Sequence, residues 1–182
     1  MSFRVHEVRG DGNCMFRAVA QAMYGGCLST RRELEEARRL RADVSGYIRR
    51  HPEVFEHDGD YLVARASRPR LTLRAYAKAY ASRMATDGEY GQSLELAVLQ
   101  ALLHQRIVVH AGPSRYPAPA FPSSRLLSTE LHVRYTAEYD DAGNNGHGHY
   151  DALIPRDVDC PKPSRRGRLV VRSRGRRLPG RA

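Results

Sequence analysis

Cys14, His149 and Asp151 are the residues of this chain whose types and spacing could do chemistry together. Cysteine attacks carbonyl carbon as its thiolate, and a helix N-terminus lowers the thiol pKa because free amides and the positive dipole end favour the anion. Beyond Cys14, the apolar residues Met15, Ala18, Val19, Ala22 and Met23 recur at helical spacing until Gly25-Gly26, so Cys14 is expected to open a helix. The preceding Asp11-Gly12-Asn13 is dense turn chemistry. Glycine permits a close approach, and N–H groups turned inward there would form an oxyanion hole; losing one such donor costs about 100- to 1000-fold in turnover. The base that accepts a thiol proton near neutral pH and returns it to a leaving amine is histidine. Of eight histidines, His149 stands two residues from Asp151 on a predicted strand, so both project from one face. Asp151 can then hold one ring nitrogen while the other faces Cys14, with Gly146 and Gly148 leaving space for a substrate chain. Taken singly, a cysteine opening a helix also suits a packed thiol, and His-x-Asp a surface pair.

The elements that must position these residues can be read from periodicity. Phe3 and Val5 alternate as a short strand. Thr30-Arg31-Arg32-Glu33 reads as a capping box opening a helix with Leu34, Ala37, Leu40, Val44 and Ile48 as its buried stripe, closed by His51-Pro52. The stretch holding Phe55, Tyr61 and Leu62 is short helix or loop. Thr72 caps a helix with Leu73, Tyr76, Tyr80 and Met84 on one face, and Ser93 caps another carrying Leu94, Ala97, Val98, Ala101 and Leu102. Glu95 lies in that helix's first turn, where the dipole favours an acid. Residues 106–110 follow as a buried strand, then a loop with Pro113, Pro117, Pro119 and Pro122. Leu131, Val133 and Tyr135 alternate as a strand, and a turn from Asp140 to Gly148 leads into the last strand, 149–154. Helices early and strands late predict an α+β domain, with helices packed around a small central sheet.

Composition bounds the rest. A chain of 182 residues, 41% hydrophobic and 27% charged, suits one globular domain. No apolar run approaches the roughly 18 to 20 residues that cross a bilayer, and the N-terminus does not read as a secretory signal. With no secretory signal a reducing cytosol is expected, and Cys14, Cys27 and Cys160, odd in number and without C-x-x-C spacing, argue against a disulfide framework or a structural zinc. Of the net charge of +10, residues 156–182 carry +8, from ten Lys or Arg and two Asp. The expected division is therefore a 1–155 catalytic domain and a 156–182 basic tail, too poor in apolar residues to order itself. That tail suits a nuclear address, a nonspecific nucleic-acid contact, or simple solubilisation.

Asp11-Gly12-Asn13-Cys14-Met15-Phe16-Arg17 and His149-Tyr150-Asp151, about 135 residues apart, resemble the two signature boxes of the ovarian-tumour (OTU) family of cysteine peptidases. Tyr90-Gly91-Gln92-Ser93-Leu94 through Leu99, followed by Ile107-Val108-Val109, resembles the family's central segment. Tyr90-Gly91-Gln92 stands where many members have Trp-Gly-Gly, and Met15 where Leu is usual; both departures touch packing and substrate contacts more than chemistry. The resemblance spans residues 5–155. It implies a papain-like OTU fold and a deubiquitinase that cleaves isopeptide bonds after the ubiquitin C-terminus through a thioester on Cys14. His149 would be the base and Asp151 its orienter. Asp11 would shape an oxyanion loop made from the amides of Gly12, Asn13 and Cys14, and Tyr90, Gly91, Gly148 and Tyr150 would line the substrate path. Neither metal nor cofactor is implied. The implied partners are ubiquitin or its chains, or a ubiquitin-like modifier, acted on in cytoplasm or nucleus by a monomer. Rival readings are a nucleic-acid-associated protein with degenerate boxes and a non-catalytic ubiquitin-binding module. A compact peptidase domain suits a virus or intracellular bacterium acting on a host, and equally a fragment of a larger eukaryotic enzyme.

Overall fold

The computed structural model describes residues 2–112, 114–118, 127–137 and 148–160. The loop prolines 113, 119 and 122, most of the 140–148 turn with Gly146, and the tail beyond 160 lie outside them.

The elements run β1 (Phe3–His6), α1 (Cys14–Met23), α2 (Thr30–Arg50), a 3-10 turn (Pro52–Phe55), α3 (Gly59–Ser67), α4 (Leu73–Met84), α5 (Ser93–Leu103), β2 (Gln105–Ala111), β3 (Ser114–Pro117), β4 (Leu127–Thr136) and β5 (His149–Pro155). One five-stranded sheet has the order β1-β5-β4-β2-β3. β2 and β4 run parallel, while the β1–β5, β4–β5 and β2–β3 pairs are antiparallel. α1 packs on β5 and β4, α5 on β2, and α2 lies across α1, α4 and α5. Between helices and sheet, Phe16, Val19, Leu40, Val44, Ile48, Leu99, Ile107, Val133, Ala152 and Ile154 form the core, all 1% exposed or less. This is the α+β architecture expected, with the last strand threaded between β1 and β4.

Local chemistry explains most boundaries and corrects two expectations. Thr72 Oγ1 accepts from the N–H of Ala75, as a cap should. α2 instead starts after Ser29, and Glu33 does not close a capping box: its carboxylate turns inward to Arg17 and Gln21. A buried arginine nearby outcompetes a solvated helix end for that carboxylate. At α5 the N-cap is Gln92 rather than Ser93, and the fully buried Glu95 reaches back to the Gln92 N–H at 2.7 Å while accepting from the Tyr80 hydroxyl at 2.8 Å. Burial pushes the Glu95 carboxyl up.

The cysteine reading also needs correcting. Cys27 and Cys160 form a disulfide, with Cα atoms 5.3 Å apart across 133 residues of sequence. Spacing could not reveal it, because strand β5 brings residue 160 back against the turn after α1. There Arg156 N–H donates to Ser2 O, and the Arg4 guanidinium donates to Gly25 O.

Candidate active site

Cys14 opens α1, as the helix spacing predicts, and is 2% exposed. The loop before it is shaped from inside. Asp11 Oδ1 accepts from the Asn13 N–H at 3.1 Å, which closes the turn over Gly12. Arg17, one turn into α1, grips the same carboxylate at both oxygens, at 3.2 and 2.6 Å. Its remaining arm donates to Glu33 at 2.8 Å. Burial pushes the Asp11 carboxyl up, but Arg17 and the Asn13 amide outweigh it and leave Asp11 below its ordinary 3.8.

A second arginine holds the loop from the other side. Arg41 of α2, itself 2% exposed, donates to Asn13 Oδ1 at 3.1 and 2.8 Å, to Gly12 O at 3.0 Å, to Met84 O at 3.0 Å and to Glu89 O at 2.6 Å. Its guanidinium also lies over the Phe16 ring, 4.5 Å from the centroid. Arg41 thus ties the Cys14 loop to the segment leading into Tyr90 and Gly91.

His149 and Asp151 lie on one face of β5, and His149 Nε2 is 3.0 Å from Asp151 Oδ1. The other ring nitrogen, Nδ1, lies beside Gly10, where the chain enters the turn that leads to Cys14: a Cβ built there would stand 3.5 Å from the nitrogen. The sulfur of Cys14 lies against the main-chain N–H of Tyr150, the residue after His149. Asp151 is 2% exposed and is also held by the Val8 N–H at 3.1 Å and by Arg134 of β4. Burial raises its pKa, but Arg134, Val8 and His149 together bring it below 3.8.

Several expectations change in detail. Burial pushes the Cys14 thiol above its ordinary 9.0; the N–H groups of Tyr150, Met15 and Cys14 pull it down, and the Asp11 charge adds to the rise. Desolvation thus opposes the helix terminus, and the balance on the Cys14 thiol is upward. The Asn13 N–H, expected in an oxyanion hole, is engaged by Asp11 instead. Gly148 does not leave open space: a Cβ there would meet the Tyr135 ring at 2.2–2.3 Å. A Cβ on Gly91 would meet the Met15 side chain at 2.3 Å, so that glycine serves packing under the Tyr90 segment. Tyr150 stacks tilted on Tyr135, centroids 4.9 Å apart, and both Tyr90 and Tyr150 are half-buried.

Sequence reasoning missed Arg17, Arg41 and Arg134 as organisers of the site. Arg41 carried a signal, since it falls on the α2 stripe between Ala37 and Ile48, where an arginine interrupts an apolar face. Arg134 carried none, because it alternates with the core residue Val133 as a solvent-facing strand residue would.

The comparisons with known proteins bear on the family and the fold. The profile of the family described as OTU-like cysteine protease matches residues 9–143. The chain is 32% identical over 111 residues to the ovarian tumor domain-containing deubiquitinating enzyme 3 of Arabidopsis thaliana, covering 59% of this chain and 45% of that one. It is 31% identical over 101 residues to the putative ubiquitin thioesterase 232R of Invertebrate iridescent virus 3, covering 56% of this chain and 11% of that one. The chain thus spans less than half the length of either relative. Among solved structures, the viral OTU domain protease of Farallon virus superposes with a TM-score of 0.55 at 20% identity, covering 83% of each chain. That of Taggert virus gives 0.52 at 16% identity, covering 87% of this chain and 83% of that one. An OTU deubiquitinase from Wolbachia pipientis wMel gives 0.50 at 14%, covering 85% and 90%. At those identities the likeness is one of fold, and it is the fold that brings a helix-opening cysteine to a His-x-Asp strand. With its profile matched across Cys14 and most of the described core, this chain belongs to the OTU-like cysteine protease family.

Proposed function

We propose that this chain is a deubiquitinase, hydrolysing the bond after the ubiquitin C-terminus through a thioester on Cys14. The observation that carries the reading is the meeting of the Cys14 loop with a His149 ring whose Nε2 is taken by Asp151 at 3.0 Å, leaving Nδ1 on the loop side. The names of the two relatives, a deubiquitinating enzyme and a ubiquitin thioesterase, support the substrate class.

The chemistry follows from that arrangement. His149 Nδ1 takes the Cys14 proton as the sulfur attacks the carbonyl carbon of the scissile bond. The oxyanion is received by the N–H groups of Gly12 and Cys14, since that of Asn13 is committed to Asp11. The imidazolium, stabilised by Asp151, then protonates the leaving lysine amine, and the C–N bond breaks to leave the thioester. Water, deprotonated by His149, attacks the thioester and releases the ubiquitin carboxylate and the thiol. Tyr90 and Tyr150 flank the path of the extended ubiquitin tail.

A ubiquitin reader without catalysis has no use for the His149–Asp151 pair, and so the peptidase reading is preferred. Action in cytoplasm or nucleus follows from where ubiquitin conjugates reside, and the basic residues beyond 160 suit an address or a nonspecific nucleic-acid contact. The test is a ubiquitin probe carrying a C-terminal electrophile. The wild-type chain should gain the mass of one ubiquitin, and Cys14→Ala and His149→Ala should not. An unlabelled wild type, or equal labelling of Cys14→Ala, would sink the reading.

A further inference from the structure

We propose that Arg134 is a positioning residue of this site: its guanidinium holds the Asp151 carboxylate in the orientation that presents one oxygen to His149. The role in turnover rests on the peptidase reading above; the grip on Asp151 does not.

The sheet register creates the contact. Arg134 of β4 is the cross-strand partner of Asp151 on β5, so the two side chains stand side by side on one face. His149, two residues earlier on β5, shares that face. Three donors from three segments then divide the carboxylate. Oδ1 receives the Val8 N–H at 3.1 Å and faces His149 Nε2 at 3.0 Å, while Oδ2 receives Arg134. A carboxylate turns easily about its terminal torsion, which is broad and nearly two-fold. With only Oδ1 held, the group can rock and swing away from the imidazole; a donor on Oδ2 removes that freedom.

The burial pattern argues against an ordinary surface pair. The Arg134 side chain is 41% exposed, but that of Asp151 is 3% exposed. An exposed ion pair contributes little, whereas a buried carboxylate without a cation is expensive to keep ionised. Among the described residues, the charged or titratable groups set against Asp151 are Arg134 from β4 and His149 from β5; the segment after β1 supplies only the Val8 amide. Arg134 is thus the permanent cation of the group, present whichever form His149 takes during turnover. The arginine also leaves its own Nε buried and, among the described residues, without an acceptor. Its pose therefore satisfies Asp151 rather than itself.

Arg134 does not sit in the core. With His110, Tyr135, Thr136 and Leu153 it lines an open cavity of about 600 Å³. Shortening the side chain enlarges a space already open to solvent, so substitutions here should leave the fold intact.

The experiment measures kcat and KM on a ubiquitin C-terminal fluorogenic amide for wild type, Arg134→Gln, Arg134→Lys, Asp151→Asn and the double variant Arg134→Gln/Asp151→Asn. Loss of one charge-assisted bond corresponds to about a 10- to 100-fold fall in kcat for Arg134→Gln, with KM changed less than about twofold. Arg134→Lys should recover part of the loss. In the Asp151→Asn background the same change should add less than about twofold, because the group through which Arg134 acts is already gone. Removing the cation leaves burial to raise the Asp151 pKa, so the acid limb of kcat/KM should move to higher pH. An Arg134→Gln enzyme within about twofold of wild type, or one that loses as much in the Asp151→Asn background, overturns the proposal. A wild type that turns over no ubiquitin substrate defeats the functional reading instead. The grip is then decided by NMR titration of the Asp151 carboxyl carbon, which supports the proposal if Arg134→Gln raises its midpoint and overturns it if the midpoint is unmoved.

Discussion

Gly12 and Gly88 meet back to back: a Cβ built on Gly12 would stand 1.8 Å from the carbonyl oxygen of Gly88. Both carry positive φ, 74° and 87°. This contact seats the loop before Cys14 on the turn that follows α4, and it leaves no room for a side chain. Gly12→Ala must therefore displace the loop whose amides are to receive the oxyanion. The expected result is a fall in kcat of about 100-fold or more, the scale of a lost oxyanion donor, with the Cys14 thiol still open to small alkylating agents. Turnover within a few fold of wild type would show that the loop carries no such function.

Arg41 donates to three main-chain carbonyls and to the Asn13 side chain from a site that is 2% exposed. Removing it strands those acceptors in the interior. Arg41→Met should destabilise the chain by about 3 kcal/mol or more, measured by urea unfolding. Arg41→Lys should recover little, because an ammonium cannot span the fork that joins Gly12, Met84 and Glu89. A lysine variant with wild-type stability would show that charge alone is needed there.

The Cys14 thiol is pushed up from 9.0, by burial first and by the Asp11 charge in addition. The thiolate fraction then grows about tenfold per pH unit at every pH below that value. Alkylation of Cys14 by iodoacetamide, followed by mass spectrometry in the absence of substrate, should climb through pH 6 to 9 without levelling. A plateau near neutral pH would reveal a preformed thiolate and show that burial does not govern the Cys14 thiol.

The Cys27–Cys160 bond closes a loop with a sequence separation of 133. Chain-entropy arguments give it up to about 5 kcal/mol of stabilisation, acting through the unfolded state. Unreduced protein unfolded in guanidinium should show one free thiol, and three after reduction. Cys27→Ser should lower the unfolding midpoint while keeping turnover, because the bond lies beyond the end of α1 opposite Cys14, on the order of 14 Å along the helix. Three free thiols before reduction would rule the bond out.

Much of the site was legible in the chain because its signals are local. Helical spacing from Met15 to Met23 put Cys14 at a helix start, and a period of two put His149 and Asp151 on one face; neither inference needs a distant residue. The tertiary structure alone decided which strands neighbour one another, and with that the site's second layer. Placing β5 between β1 and β4 gave Asp151 both the Val8 amide and Arg134, and carried Cys160 back to Cys27. Packing α2 across α1 turned Glu33, whose local reading was a cap, and Arg41, an arginine on an apolar stripe, into the clamps of the Cys14 loop. Burial of the sulfur likewise reverses the direction in which the helix terminus alone would move its pKa. The physical reason is one of range. Periodicity and turn chemistry act over a few residues and are written in sequence order. Desolvation and charge pairing depend on what burial brings together across more than a hundred.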